Sequence, residues 1–251
     1  MDITLALIAL FSGVYYWFCS SVWGYTFTDA FFSPVVTAIP LGLLLGDLQT
    51  ALIIGATIQL IYIGQINTGG NWPADECLAA CIVIPLAINT GMQIEVAAAL
   101  AIPVSFLGVF IRNVLRAINT VFVHWADKFA IEGNVRGISR CAFAYPMLTG
   151  FVFRVPPVFI VNYFGADLIN PILAAIPEFI MHAFEVAGGV LPALGIAMTV
   201  MLIGKKNNFA LFFLAFFVVK YFEMDIMLSA FIGLSIAFLM VFNVKREGTS
   251  A

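Results

Sequence analysis

Residues 64–76 read Gly64-Gln65-Ile66-Asn67-Thr68-Gly69-Gly70-Asn71-Trp72-Pro73-Ala74-Asp75-Glu76. These thirteen residues hold three glycines, several amides and two carboxylates. Apolar chain flanks them, residues 41–63 before and residues 77–88 and 96–111 after. An unpaired polar group in hydrocarbon is costly, and irregular backbone persists at membrane depth only where protein buries it or where it lines a watery cavity. The stretch is therefore the candidate binding segment. Its setting implies an all-α, polytopic integral membrane protein with broken or re-entrant helices.

Composition supports that class. Of 251 residues, 63% are hydrophobic and 10% charged, with a mean hydropathy of +1.06. A soluble domain carries about 25% charged residues, and one core of this length cannot hide so much apolar surface. The long apolar runs indicate helices rather than the alternating strands of a barrel. They leave room for about seven to ten membrane segments, some short. The first 20 residues lack a basic leader and a small-residue cleavage site, so they are read as a retained helix. Charge is asymmetric: residues 1–111 carry six acids and no Lys or Arg, residues 112–251 eight acids and eleven bases. Bases cluster in 112–140, at Lys205-Lys206 and at Lys245-Arg246, and cytoplasmic loops are enriched in Lys and Arg. The clusters are small and separated by apolar spans, a poor pattern for nucleic acid. The lipid bilayer is the expected surroundings.

The expected organisation is one membrane domain over 1–251. An N-terminal helix fills 1–30 and a broken-helix substrate region 31–111. An amphipathic cytoplasmic segment covers 112–140 and C-terminal helices 141–251. Pro34, Pro40 and Gly46-Asp47 interrupt the first part, and Asn89 to Glu95 divides the stretch after the polar segment. Short, Gly/Pro-interrupted apolar segments are the best sequence pointer to a transporter's substrate site. Residues 142–164 are expected to cross, 165–178 to form an external loop, and the C-terminus to lie inside.

Gln65, Asn67, Asn71 and Asp75 offer amide and carboxylate partners suited to a polyhydroxylated ligand. Gln59 adds an amide inside an apolar helix. Asp47 is either a functional intramembrane carboxylate or a helix cap, and Trp72 either a sugar-stacking face or an interfacial anchor. A second constellation, His182 to Pro192, places Glu185 one turn from His182 and contains Gly188-Gly189. It reads either as the rest of the pocket or as a packing site. Cys77 and Cys81 are spaced one helical turn apart, but no His lies near them in sequence, and no metal or cofactor is expected. No nucleophile elbow, phosphate loop or dinucleotide fingerprint is present.

Gly46-Asp47-Leu48-Gln49-Thr50 and the residues to Thr57, the segment ending Pro73-Ala74-Asp75, Ala126-Asp127-Lys128, and Val186-Ala187-Gly188-Gly189 together resemble the IIC subunit of the mannose-family bacterial sugar phosphotransferase system. The run from Phe184 to Pro192 is similar to the N-acetylgalactosamine/galactosamine branch. The resemblance implies an elevator-type transporter of a hexose or amino sugar in the bacterial inner membrane. It further implies a separate IID membrane subunit, a trimer of IIC–IID heterodimers, and phosphorylation by a histidine on soluble IIB, recharged by IIA. The chain itself is then a transport subunit without catalytic residues. By position, Gln59, Asn67 and Asp75 are the leading sugar ligands, with Gln59 standing where many members carry an acid. Two other readings stay open: a stand-alone ion-coupled transporter, and a docking receptor of the kind bacteriocins or phage exploit.

Overall fold

Pro34 and Gly46 bound the first of several short helices in the computed structural model, which describes residues 3–21, 28–65, 73–175, 177–203 and 209–248. The first half holds α1 (Ile3–Cys19), α2 (Thr28–Phe31), α3 (Pro34–Leu45), α4 (Leu48–Tyr62) and α5 (Glu76–Thr90). Pro at the first position of α3 loses no helical hydrogen bond. Gly46 ends α3 in the left-handed region, φ 78°, and Gly91 ends α5 likewise at φ 66°, where a Cβ is unfavourable. Asp47 then starts α4: its Oδ1 accepts the Thr50 N–H at 3.0 Å. Of its two readings, the cap is the one seen.

α4 and α5 have 15 residues each, about 22 Å of rise against a hydrocarbon core of about 30 Å. α3 lies along α4. A Cβ on Gly42 would sit 2.7 Å from that of Ala51, and one on Gly55 2.8 Å from that of Ala38, so small residues set the close approach. α5 is the central helix. Residues 77–87 are all buried, enclosed by α1, α3, α4, α6 and α8, which is why this helix carries no polar face.

α6 (Ile94–Ile131) has 38 residues, about 57 Å. It runs unbroken across residues 111 and 112, where the sequence suggested a separate amphipathic segment. No breaker stands there, and Arg112 turns inward instead of marking a surface. Only the later part of 112–140 leaves α6, as α7 (Val135–Ser139) and a π-helical turn (Arg140–Ala144). α8 (Tyr145–Ala175) extends through most of the expected external loop of 165–178, and α9 (Glu178–Ile203) follows almost at once. α9 stays helical through Gly188-Gly189. Ile94–Ile131 and Val135–Gly165 are long and apolar enough to cross a membrane, and seven further apolar helices of 10–17 residues accompany them among the described residues.

The chain divides into two units, Met1–Thr199 and Val200–Ala251. The second holds α10 (Phe209–Phe222) and α11 (Ile226–Gly248). Asp225 caps α11, accepting from the Met227 N–H at 2.7 Å and the Leu228 N–H at 3.3 Å. An apolar cleft between the two helices is lined by Leu214, Val218, Ile232 and Ile236. Exposed Phe213, Phe216, Phe217 and Phe231 give this unit a surface that suits lipid rather than water.

Candidate functional site

Asp75 stands at the amino-terminal end of α5, and its side chain is fully enclosed. Its Oδ1 accepts the Leu78 N–H at 3.0 Å, closing the first turn of α5. Its Oδ2 accepts from the Tyr16 hydroxyl at 2.8 Å and from Arg112 Nη2 at 2.7 Å. The Asp75 N–H donates to the Ser105 carbonyl at 3.3 Å. Arg112 also lies over the Phe32 ring, 5.3 Å from its centroid, and Arg154 of α8 lies 5.7 Å from the Tyr16 centroid. A buried carboxylate thus has a cation, a phenol and a backbone donor, the compensation that charge in an apolar interior requires. Tyr62, at the end of α4, faces Ser105 Oγ at 2.9 Å and the Ala101 carbonyl at 3.2 Å, tying α4 to the same stretch of α6.

Gln59 faces the start of α3. Its Oε1 accepts from Ser33 Oγ at 2.7 Å and from the Val35 N–H at 3.3 Å, so a side chain from α4 satisfies an orphan donor of another helix. Gln65 is half-buried at the entry to the polar segment, with its N–H on the Tyr62 carbonyl at 2.9 Å. Asn67 and Asn71 lie outside the described residues, as does Trp72. Glu185 lies within α9, with its side chain outside the described residues; His182 is exposed on the same helix.

The structure brings α9 to the polar segment at a different place from Glu185. A Cβ on Gly195 would meet the Leu60 carbonyl, and one on Gly64 would sit 2.7 Å from Met198 Cβ and 2.8 Å from the Gly195 carbonyl. Glu185 is ten residues earlier, about 15 Å along the helix. Residues 195–199, which carried no signal beyond Gly195, are the ones packed against residues 60–64. Arg112, Tyr16 and Gly108 were also missed. The available signal was that Arg112 is the first base in the chain and directly follows an apolar run, and that an intramembrane acid requires a partner. Cys19, Cys77, Cys81 and Cys141 are buried free thiols.

Residues 6–239 match the family described as PTS system sorbose-specific IIC component. The chain belongs to this family. The sorbose-specific EIIC component of Klebsiella pneumoniae is 31% identical over 208 residues, 83% of this chain and 78% of its own length. N-acetylgalactosamine permease IIC component 1 of Escherichia coli K12 is 28% identical over 217 residues, 86% and 81% of the two chains. Among solved structures, the mannose transporter ManYZ in complex with microcin E492 has a TM-score of 0.58 and 26% identity, over 96% of this chain and 95% of that one. The chain is thus a membrane protein and a mannose-family IIC sugar permease component of the phosphotransferase system, as the quoted motifs implied.

Proposed function

We propose that this chain translocates a hexose or amino sugar, N-acetylgalactosamine or galactosamine favoured, as the IIC subunit of an inner-membrane permease. It works beside a IID subunit in a trimer of heterodimers. The observation that carries the reading is a family match from residue 6 to residue 239 on a chain whose amide-rich segment ends at the enclosed helix α5. The Phe184–Pro192 run supports the amino-sugar branch.

Gln59, Gln65, Asn67 and Asn71 hold the sugar hydroxyls, while Asp75, fully enclosed in this conformation, secures the end of the segment. Amides both donate and accept, so one side chain engages adjacent hydroxyls. Each such bond is worth about 1 kcal/mol net, so four or five give about 4–5 kcal/mol, a dissociation constant on the order of 1 mM or below. Release on the far side then needs no large energy input. An elevator-like movement carries the site between the two faces. At the cytoplasmic face a phosphohistidine on IIB, recharged by IIA, passes its phosphoryl group to a sugar hydroxyl, and the charged product cannot return. The docking reading coexists with transport, in keeping with the microcin found on ManYZ.

The test is uptake of radiolabelled N-acetylgalactosamine in cells expressing the IIC–IID pair with and without the soluble phosphocarriers. Accumulation is expected only with them, and as the phosphate. Accumulation of unmodified sugar without them overturns the coupling and favours an ion-driven carrier.

A further inference from the structure

Three residues of α6 meet Asp75 from one face. Ser105, Gly108 and Arg112 follow at intervals of three and four, so they share a helix face. The Ser105 carbonyl takes the Asp75 N–H at 3.3 Å. A Cβ on Gly108 would collide with Asp75 Cβ and lie 2.8 Å from its Cγ, so the bare glycine is the floor on which the aspartate rests. Arg112 closes the contact at 2.7 Å with its side chain 15% exposed.

The two carboxylate oxygens divide their tasks. Oδ1 caps α5, which a neutral Asn or Ser does as well. Oδ2 takes Arg112 and Tyr16, and this is where the charge matters, because a buried charge without a counter-charge is strongly unfavourable. The carboxylate is 0% exposed, so in this conformation a sugar has no access to it. Its influence on a sugar passes through the chain it holds. Asn71 is four residues away, and four residues span at most about 14 Å, so an anchored Asp75 confines where the amides before it can stand.

We propose that Arg112 is a positioning residue of the sugar site: through Asp75 it pins the carboxy-terminal end of the polar segment onto α6. The proposal rests on the reading of residues 64–76 as the sugar-holding segment. It assigns Asp75 the role of anchor rather than direct ligand in this state, and it makes the pair, not either charge, the functional unit.

The test uses the full IIC–IID complex in native membranes and four versions: native, Arg112→Gln, Asp75→Asn, and the double variant Asp75→Asn/Arg112→Gln, which removes both charges and keeps a capping side chain. The first readout needs no sugar. Ala74 is 5% exposed, and an Ala74→Cys probe in each background is labelled with a membrane-permeant maleimide and read by peptide mass. Protection is expected in the native background, labelling at least tenfold faster in each single variant, and protection regained in the double. The second readout is uptake of N-acetylgalactosamine, mannose and sorbose in parallel, with KM and Vmax per inserted complex. Each single variant is expected to raise KM about tenfold, with Arg112→Lys between these and native, and the double to return to within about threefold of native. A double variant as impaired in KM as Asp75→Asn overturns the anchor role and makes Asp75 a direct ligand. Unchanged KM in all variants with less inserted complex makes the pair purely structural, which also overturns the proposal. If the native complex takes up none of the three sugars, the substrate reading fails on its own, and the labelling pattern still decides the anchor.

Discussion

Gly108→Ala places one methyl group where the structure has least room for it. In an ordinary helix interior this change is favourable by about 1 kcal/mol, since Ala is the better helix former. Gly108 is helical without a positive φ, so the backbone gains that amount here too. Against it stands the contact with Asp75: the new Cβ would overlap Asp75 Cβ and lie 2.8 Å from Cγ and 3.0 Å from Oδ2. Overpacking a tight interior costs about 1–3 kcal/mol. Pushing Oδ2 away from Arg112 adds part of the roughly 3–5 kcal/mol that a broken buried pair loses. The net expectation is destabilisation by about 2 kcal/mol, a fall in midpoint of about 4–8 °C by the scaling for chains of this size. Gly233→Ala in α11 is the control, because nothing lies within 4 Å of a Cβ there, and its midpoint should stay level or rise. The assay is thermal unfolding of the detergent-solubilised complex, followed by loss of the monodisperse peak. A Gly108→Ala midpoint at or above native would refute the steric and electrostatic reasoning at Asp75.

Gln59→Ala strands the Val35 N–H and the Ser33 hydroxyl, and is expected to cost about 1–3 kcal/mol and to raise KM for uptake; Gln59→Glu keeps the acceptor and adds a charge favourable at the start of α3 by about 0.3–1 kcal/mol, so it should retain stability, as the same unfolding assay checks. Tyr16→Phe removes a hydrogen bond to a buried carboxylate and should lower stability by about 1.5–3 kcal/mol while leaving the Asp75–Arg112 pair in place, so KM should move less than in Arg112→Gln. Asp47→Ala removes a cap remote from the Asp75 cluster, so uptake KM should stay native while the start of α4 shows faster amide exchange.

Much of the architecture was legible because breakers and polar residues have few uses inside an apolar chain. Gly46-Asp47 ends one short helix and caps the next, and Asn89 to Glu95 spans the turn between α5 and α6, both where the sequence placed interruptions. The start of α5 at Glu76 coincides with the end of the polar segment. Less legible was anything set by contacts between distant residues. Arg112 looked like the first surface charge, yet its partner lies 37 residues back, a pairing no helical periodicity encodes. Residues 165–178 read as a loop because of Gly165 and Asp167, but helix continues as far as Ala175; a single Gly or Asp costs a helix only about 1 kcal/mol or less. Of the six candidate ligands, Gln59, Gln65 and Asp75 fall among side chains the structure describes: Asp75 caps its own helix, Gln59 serves the start of α3, and Gln65 stands at the entry to the segment. Hydrogen-bonding capacity was readable from residue type, whereas the partner each group meets was not.

The most direct measurement is the position of a bound sugar in a cryo-EM map of the IIC–IID complex with N-acetylgalactosamine. The account predicts density within hydrogen-bonding reach of Gln59, Gln65, Asn67 or Asn71, with Asp75 still on Arg112. Sugar density away from residues 59–76, for instance in the cleft between α10 and α11, would contradict it.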